Sequence, residues 1–216
     1  MEFLNNLKLV WIRCRAVNSP LASTIAKYIY YRVLGKNILS SNRVAIYGIR
    51  NITTRENLRI GMDYVGFMHC KDRTLVRVKG RLEVNGKFSI GKGCRIDIGE
   101  NASVSVNSGY INSKTNLVIM HGLSIGPRCA ISWGCQFLDE DFHTLSYSGR
   151  AKATGEKIII GSDVWIGCNV TVLKGSYIPN GCVVAAGSIV TSKFTEENVL
   201  IAGNPAKVVK KNVHWS

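Results

Sequence analysis

The stretch Ile160-Gly161-Ser162-Asp163-Val164-Trp165-Ile166-Gly167-Cys168-Asn169-Val170-Thr171-Val172 decides the reading of this chain. Its aliphatic residues at 160, 166 and 172 stand six apart, and the series runs on through Ile178, Val184 and Val190. Four places after each of the first five come Val164, Val170, Ser176, Cys182 and Ser188, all small or β-branched. Glycine or alanine often follows the aliphatic residue, as in Ile160-Gly161, Ile166-Gly167 and Val184-Ala185. An amphipathic helix would place apolar residues three and four apart, and a hairpin meander would show turn signals every 8–12 residues. Six residues suit one short strand and one corner, with the aliphatic side chain inward and the small residue in the crowded corner. Three such units make a triangular turn. Turns stack at the ordinary strand spacing of ~4.8 Å, hydrogen bonds run between them, and their aliphatics merge into one core.

The same period appears upstream. Ile119, Ile125, Ile131 and Phe137 form one run, with Cys129 and Cys135 in the small slot. Val78, Val84, Ile90 and Ile96 form another, with Cys94 in that slot, and Ile98, Val104 and Tyr110 continue in a shifted phase. Irregular stretches near 111–118 and 138–159 separate the phases. Four cysteines thus read as packing residues. The total of seven is odd and includes no CxxC pair, which argues against a disulfide framework and suits a reducing compartment. The 21 glycines and only 4 prolines fit many tight turns between short strands.

The net charge is +14, which points to nucleic acid, a membrane surface or anionic small molecules. No nucleic-acid-binding motif accompanies it, so no nucleic-acid partner is expected. Residues 1–45 lack the repeat and carry seven basic residues against Glu2 alone. Leu21, Ile25, Ile29 and Val33 recur four apart, which predicts an amphipathic helix over 21–34 beginning after Pro20. Leu4, Leu7, Trp11 and Cys14 predict another over 3–15. Two readings stay open for this appendage: a cap over the first coil that shields its open strand edge, or a basic anchor beside anionic lipid. Trp11, Tyr28, Tyr30 and Tyr31 suit the second. Lys8, Arg13 and Arg15 break any signal-peptide core, and no run has the length of a membrane span. The expected location is cytoplasmic, with peripheral contact at the inner membrane open.

The hexapeptide stretch, with Ala186-Gly187-Ser188 and Ala202-Gly203-Asn204-Pro205-Ala206-Lys207, resembles the hexapeptide-repeat acyltransferases. It is most similar to O-acetyltransferases of bacterial surface polysaccharides and of galactosides or maltose, over roughly residues 76–215. The resemblance implies an all-β fold, a left-handed parallel β-helix. Here it carries an N-terminal α-helical appendage (1–45), a β-helix domain (46–216), a catalytic loop (138–159) and a C-terminal cap segment. It also implies a homotrimer with active sites between subunits, acetyl-CoA as co-substrate, a saccharide acceptor and no metal.

The family's catalytic histidine sits on the loop extension, and His143 matches that position. A sugar hydroxyl is a poor nucleophile at neutral pH, and a neutral imidazole can take its proton during attack on a thioester. An acidic neighbour can orient that ring. Asp139, Glu140 and Asp141 are candidates, with Asp141 favoured. His143 as an ordinary surface histidine is the bland alternative. His121 reads as structural, and His69 and His214 as weaker candidates still. The resemblance places Trp165 beside the acetyl group and acceptor, against a plain reading of subunit packing, and Trp133 on the acceptor side. Gly167, Ala185 and Ala186 present little side chain to a pantetheine arm. Gly203, Pro205 and Lys207 match the family's nucleotide end, where lysine serves phosphate as a flexible point charge. The N-acetylation of a nucleotide-linked amino sugar is the rival activity, and a non-catalytic scaffold a further one. A three-histidine metal site of carbonic-anhydrase type is disfavoured by four scattered histidines.

Overall fold

The computed structural model describes residues 2–63, 68–148, 150–151 and 153–216. From Ile38 the chain turns repeatedly through three parallel sheets, which form the faces of a prism. Face A runs from Ile38–Ser40 through Cys129–Ile131 and Trp165–Ile166 to Leu200–Gly203. Face B runs from Val44–Tyr47 through Gln136–Leu138 to Ile189–Val190, and face C from Ile52–Thr54 through Ile158–Ile160 to Tyr177–Ile178. The coil therefore begins at Ile38, not at the expected boundary of 46. Its first strand already pairs in parallel register with Leu58–Ile60.

The inward residues stack in columns. On face A, Ile60, Ile90, Ile111, Ile131, Ile166, Val184 and Ile201 share one register position, and all are buried. On face B, Val76, Ile96, Leu117, Phe137, Val172 and Val190 do the same. Each such side chain contributes on the order of 1.5–3 kcal/mol by leaving water. Cys94, Cys129, Cys135 and Cys182 fill corner positions and are buried. Burial pushes the Cys94 thiol up to about 12 and those of Cys129 and Cys135 up to about 11.

Coil length explains where the period holds. From Ile166 to Val184, register partners on face A, the chain completes one turn in three whole hexapeptides. The earlier turns on the same face, from Ile90 to Ile111 and from Ile111 to Ile131, are longer, with the extra residues at corners. This shift also reassigns Tyr110. It points outward, 43% exposed, and Ile111 takes the inward place expected of it, because neighbouring residues of a strand face opposite sides.

Two helices close the first coil. Helix α1 spans Glu2–Ala16 and α2 spans Leu21–Val33, starting after Pro20 as the sequence predicts. The buried side of α2 departs in part from the expected stripe: Leu21 and Ile25 are partly buried, Leu21 against the cluster around Cys14, whereas Ile29 and Val33 are exposed. It presents Thr24 and Tyr31 to the coil, and Tyr31 joins the main core. Lys27 donates from Nζ to the carbonyls of Ser41 (3.1 Å), Asn42 (3.4 Å) and Val44 (2.7 Å), groups at the coil's open end. The amine is half-buried, and that burial lowers its pKa. In α1, Cys14 is buried against Val17, Leu39 and Met62, whereas Trp11 is exposed. The side chains of Leu4 and Leu7 lie outside the described residues. The buried Lys92 ammonium donates to the Val17 carbonyl just past α1 and ties the appendage to the coil. At the other end Leu200–Gly203 and Ala206–Lys210 form an antiparallel hairpin over the last coil.

Candidate active site

Between Leu138 of face B and Ile158 of face C the chain leaves the prism and returns. The exit is built by Asp139, whose side chain is fully buried. Its carboxylate accepts three backbone N–H groups of the coil beneath: Met120 (2.6 Å), His121 (2.8 Å) and Gly122 (2.6 Å). The loop then begins as a narrow stem. Asp141 N–H donates to the Thr154 carbonyl (2.8 Å) and Glu156 N–H to the Asp139 carbonyl (3.0 Å).

The neighbouring acids complete this stem. Glu140 Oε2 lies 2.5 Å from His121 Nε2, and its Oε1 accepts the Phe142 N–H at 3.1 Å. The His121 hydrogen bond is the main reason the Glu140 carboxyl titrates below the ordinary carboxylate range. Asp141 pairs with Lys174 at 2.5 Å, and the same ammonium reaches the carbonyls of Ala153 (2.5 Å) and Thr154 (3.2 Å). Glu156 pairs with Lys193 at 2.5 Å. Within the subunit, then, Asp141 is bonded to Lys174 rather than to His143, and Asp139 and Glu140 are likewise engaged elsewhere.

His143 follows Phe142, whose φ of +59° turns the chain sharply at the head of the stem. Its side chain is exposed, and no described residue hydrogen-bonds its ring. His121, expected to be structural, instead forms a half-exposed pair with Glu140 under the loop. Of the others, His69 is exposed and accepts the Lys71 N–H at 3.1 Å, and His214 lies on the exposed tail. Among the described residues no group of three or more His, Cys, Asp or Glu could hold a metal ion.

The residues expected at the acyl donor, and Trp133 expected on the acceptor side, fall on another edge of the prism. Trp133, Gly167, Ala185 and Ala186 occupy the edge between faces A and B, coil above coil. Backbone bonds link that edge: Asn169 N–H to the Trp133 carbonyl (3.0 Å) and Gly187 N–H to the Cys168 carbonyl (2.9 Å). Gly203 N–H donates to Ser188 Oγ at 3.2 Å, which seats the tip of the terminal hairpin, with Pro205, on the same edge. Lys207 stands exposed on the hairpin's return strand. Gly187 is open, with φ +72° and nothing within 4 Å of where a Cβ would project. Gly167 has a packing reason of its own: a Cβ there would lie 2.6 Å from the Ala186 nitrogen of the next coil.

Trp165 points outward from face A, 41% exposed, and donates from Nε1 to Ser132 Oγ at 3.2 Å. Trp215 packs on it, with ring centroids 6.3 Å apart, and is itself held by an Nε1 bond to the Asp163 carbonyl (2.7 Å). The sequence offers no signal for this contact, because the tail folds back from the end of the chain to reach it. In a three-sided coil the edge between B and C, from which the stem leaves, is the vertex opposite face A. The histidine loop and the tryptophan thus belong to opposite sides of one subunit.

No family model matches the chain. It is 37% identical over 217 residues to an uncharacterized 24.8 kDa protein in the cps region of Klebsiella pneumoniae, spanning 99% of this chain and 97% of that one. It is 29% identical over 150 residues to the putative lipopolysaccharide biosynthesis O-acetyl transferase WbbJ of Escherichia coli K12, covering 64% of this chain and 76% of the relative. Among solved structures, the polySia-specific acetyltransferase NeuO superposes with a TM-score of 0.51 at 25% identity, over 83% of this chain and 82% of that one. The prism is a left-handed parallel β-helix, and with it the chain belongs to the hexapeptide-repeat acyltransferases.

Proposed function

We propose that this protein transfers an acetyl group from acetyl-CoA to a hydroxyl of a saccharide, in the biosynthesis of a bacterial surface polysaccharide. The observation that carries the reading is the stemmed loop, which holds an imidazole clear of the coil on a scaffold shared with named O-acetyltransferases. The open edge of small residues from Gly167 to Gly203 fits an extended pantetheine arm, with Trp165 at its acyl end and Trp133 on the acceptor side. A homotrimer supplies what one subunit lacks, because it sets the loop edge of one copy against the small-residue edge of the next.

His143 is the general base of this reaction. Its neutral imidazole removes the hydroxyl proton as the sugar oxygen bonds to the thioester carbonyl carbon. The carbon–sulfur bond then breaks, and the imidazolium returns its proton to the departing thiolate. Ester and free thiol are the products, and the histidine ends as it began. Trp165 positions the acetyl group, and Lys207 steadies the phosphates at the far end of the donor.

Incubation with acetyl-CoA and separate hydroxyl-bearing and amino-bearing sugar acceptors, read by thiol release and by mass spectrometry, tests the proposal. Acetyl ester formation on the hydroxyl acceptor is expected, and His143→Ala lowers it about a hundred-fold or more with the fold intact. Amide formation in preference to ester, or near-normal turnover by His143→Ala, would overturn it.

A further inference from the structure

Among the described residues, nothing covers the outer face of α2. Ala22, Ala26, Ile29 and Val33 recur at the spacing of one helix stripe, and all four are exposed. Ile29 is 55% exposed and Val33 80% exposed, with Tyr30 and Leu34 beside them. The opposite side of α2 carries Thr24 and Tyr31 into the coil end, so the stripe looks away from the prism. Helix α1 adjoins it and exposes Leu9, Trp11 and Ile12 together with Lys8 and Arg15. The Arg15 guanidinium lies over the Trp11 ring at 4.9 Å. Arg32 and Lys36 flank the end of α2.

Charge is skewed toward the half of the chain that contains these helices. Residues 1–100 carry 18 Lys and Arg against 7 Asp and Glu, whereas the remaining residues carry 10 against 7. An apolar stripe rimmed by aromatic rings and cations is the composition of an interfacial surface, in which long basic side chains reach the headgroups while the apolar groups enter the acyl boundary. We infer that the outer faces of α1 and α2 dock the protein on an anionic lipid bilayer.

A second copy of the chain fits this face less well. Copies standing side by side would all present their stripes in one direction, away from the coils, where the stripes cannot cover one another. Copies meeting end to end would press two strongly basic ends together. A flat anionic surface satisfies every stripe at once. Neither described helix is long and apolar enough to cross a membrane, so the contact is peripheral. Under the acetyltransferase reading, docking brings the site to glycans still carried on lipid, but the docking itself requires no acetyl transfer.

The test is co-sedimentation of the full-length protein with phosphatidylcholine vesicles and with vesicles containing about one-third phosphatidylglycerol. Binding to the anionic vesicles is expected, weakened at least ten-fold by raising salt to about half molar. The double variant I29E/V33E, at two exposed positions, is expected to bind them at least ten-fold more weakly with unchanged circular dichroism and oligomeric state. Equal binding to both vesicles, or anionic binding undiminished in the double variant, overturns the inference. So does a double variant that falls apart into smaller species, because the face would then belong to a second copy. Acetyl transfer to a soluble acceptor is measured alongside and is expected to be unchanged by I29E/V33E, which keeps a failure of docking distinct from a failure of the proposed activity.

Discussion

Asp139→Asn removes one charge and almost no volume, yet it should weaken the protein nearly as much as a core truncation. The native carboxylate receives Met120 N–H on Oδ1 and both His121 and Gly122 N–H on Oδ2. An asparagine has one acceptor oxygen. Turned to keep the two bonds at Oδ2, it aims its own NH2 at the Met120 N–H. Turned the other way, it opposes two donors. The better choice still loses one charge-assisted bond, worth about 1.5–3 kcal/mol, and sets donor against donor. We expect a loss of about 2–3 kcal/mol for Asn and about 3–5 kcal/mol for Ala, which strands all three N–H groups. At this chain length that corresponds to a fall in Tm of roughly 5–10 °C for Asn. Thermal and urea unfolding at fixed protein concentration would read it, since any oligomer makes the midpoint concentration-dependent. Asn within about 0.5 kcal/mol of the native protein would refute the assignment of Asp139 as the anchor of the loop.

Three further outcomes are expected. Cys94, Cys129 and Cys135 should resist a thiol reagent at pH 8 in the native state, because the thiolate is the reactive form and burial holds their pKa values near 12, 11 and 11. The half-exposed Cys70 and Cys168 should react first, as mass mapping would show. Glu140 titrates below its unfolded value, so its contribution to holding the stem is complete above about pH 4.3 and is lost as pH falls through the lower folded value. Limited proteolysis with an acid-active protease should show loop cleavage rising below about pH 4, with Glu140→Gln cleaved readily on both sides of that range. In Gly155→Ala the new Cβ would overlap the His121 ring and force it off Glu140. We expect kcat to fall about ten-fold or more with thermal stability little changed, and native kcat in this variant would detach the His121–Glu140 pair from the positioning of His143.

The prism is legible where each turn consists of three whole hexapeptides, as between Ile166 and Val184. There, each corner has the minimum length and the repeat survives intact. Upstream coils lengthen their corners, so the period slips and points to Tyr110 where Ile111 is the inward residue. The turn from Ile60 to Ile90 is longer still, so the first coil falls out of phase with the rest. In α2, hydrophobicity alone selects a stripe whose second half, Ile29 and Val33, faces outward. What the open coil end needs is an ammonium for its carbonyls and one ring for its core, supplied by Lys27 and Tyr31. The loop at 138–159 is visible as an interruption, and His143 stands at its head. The acids before it suggest partners for the histidine, but three consecutive carboxylates leaving a coil find nearer donors in backbone amides, His121 and Lys174. Trp215 on Trp165 is beyond any local pattern, because the contact depends on the path of the tail.

The register of face A also acts as a ruler. Five steps of ~4.8 Å separate the strand Ile38–Ser40 from Trp165–Ile166, about 24 Å along the axis. Each rung is hydrogen-bonded to the next and filled by the same column of aliphatics, so this height cannot drift with thermal motion as a linker would. Whatever holds the helical end of the molecule fixes the altitude of the tryptophan. Adding or removing one full coil would move it by a single rung, comparable to the length of one sugar unit.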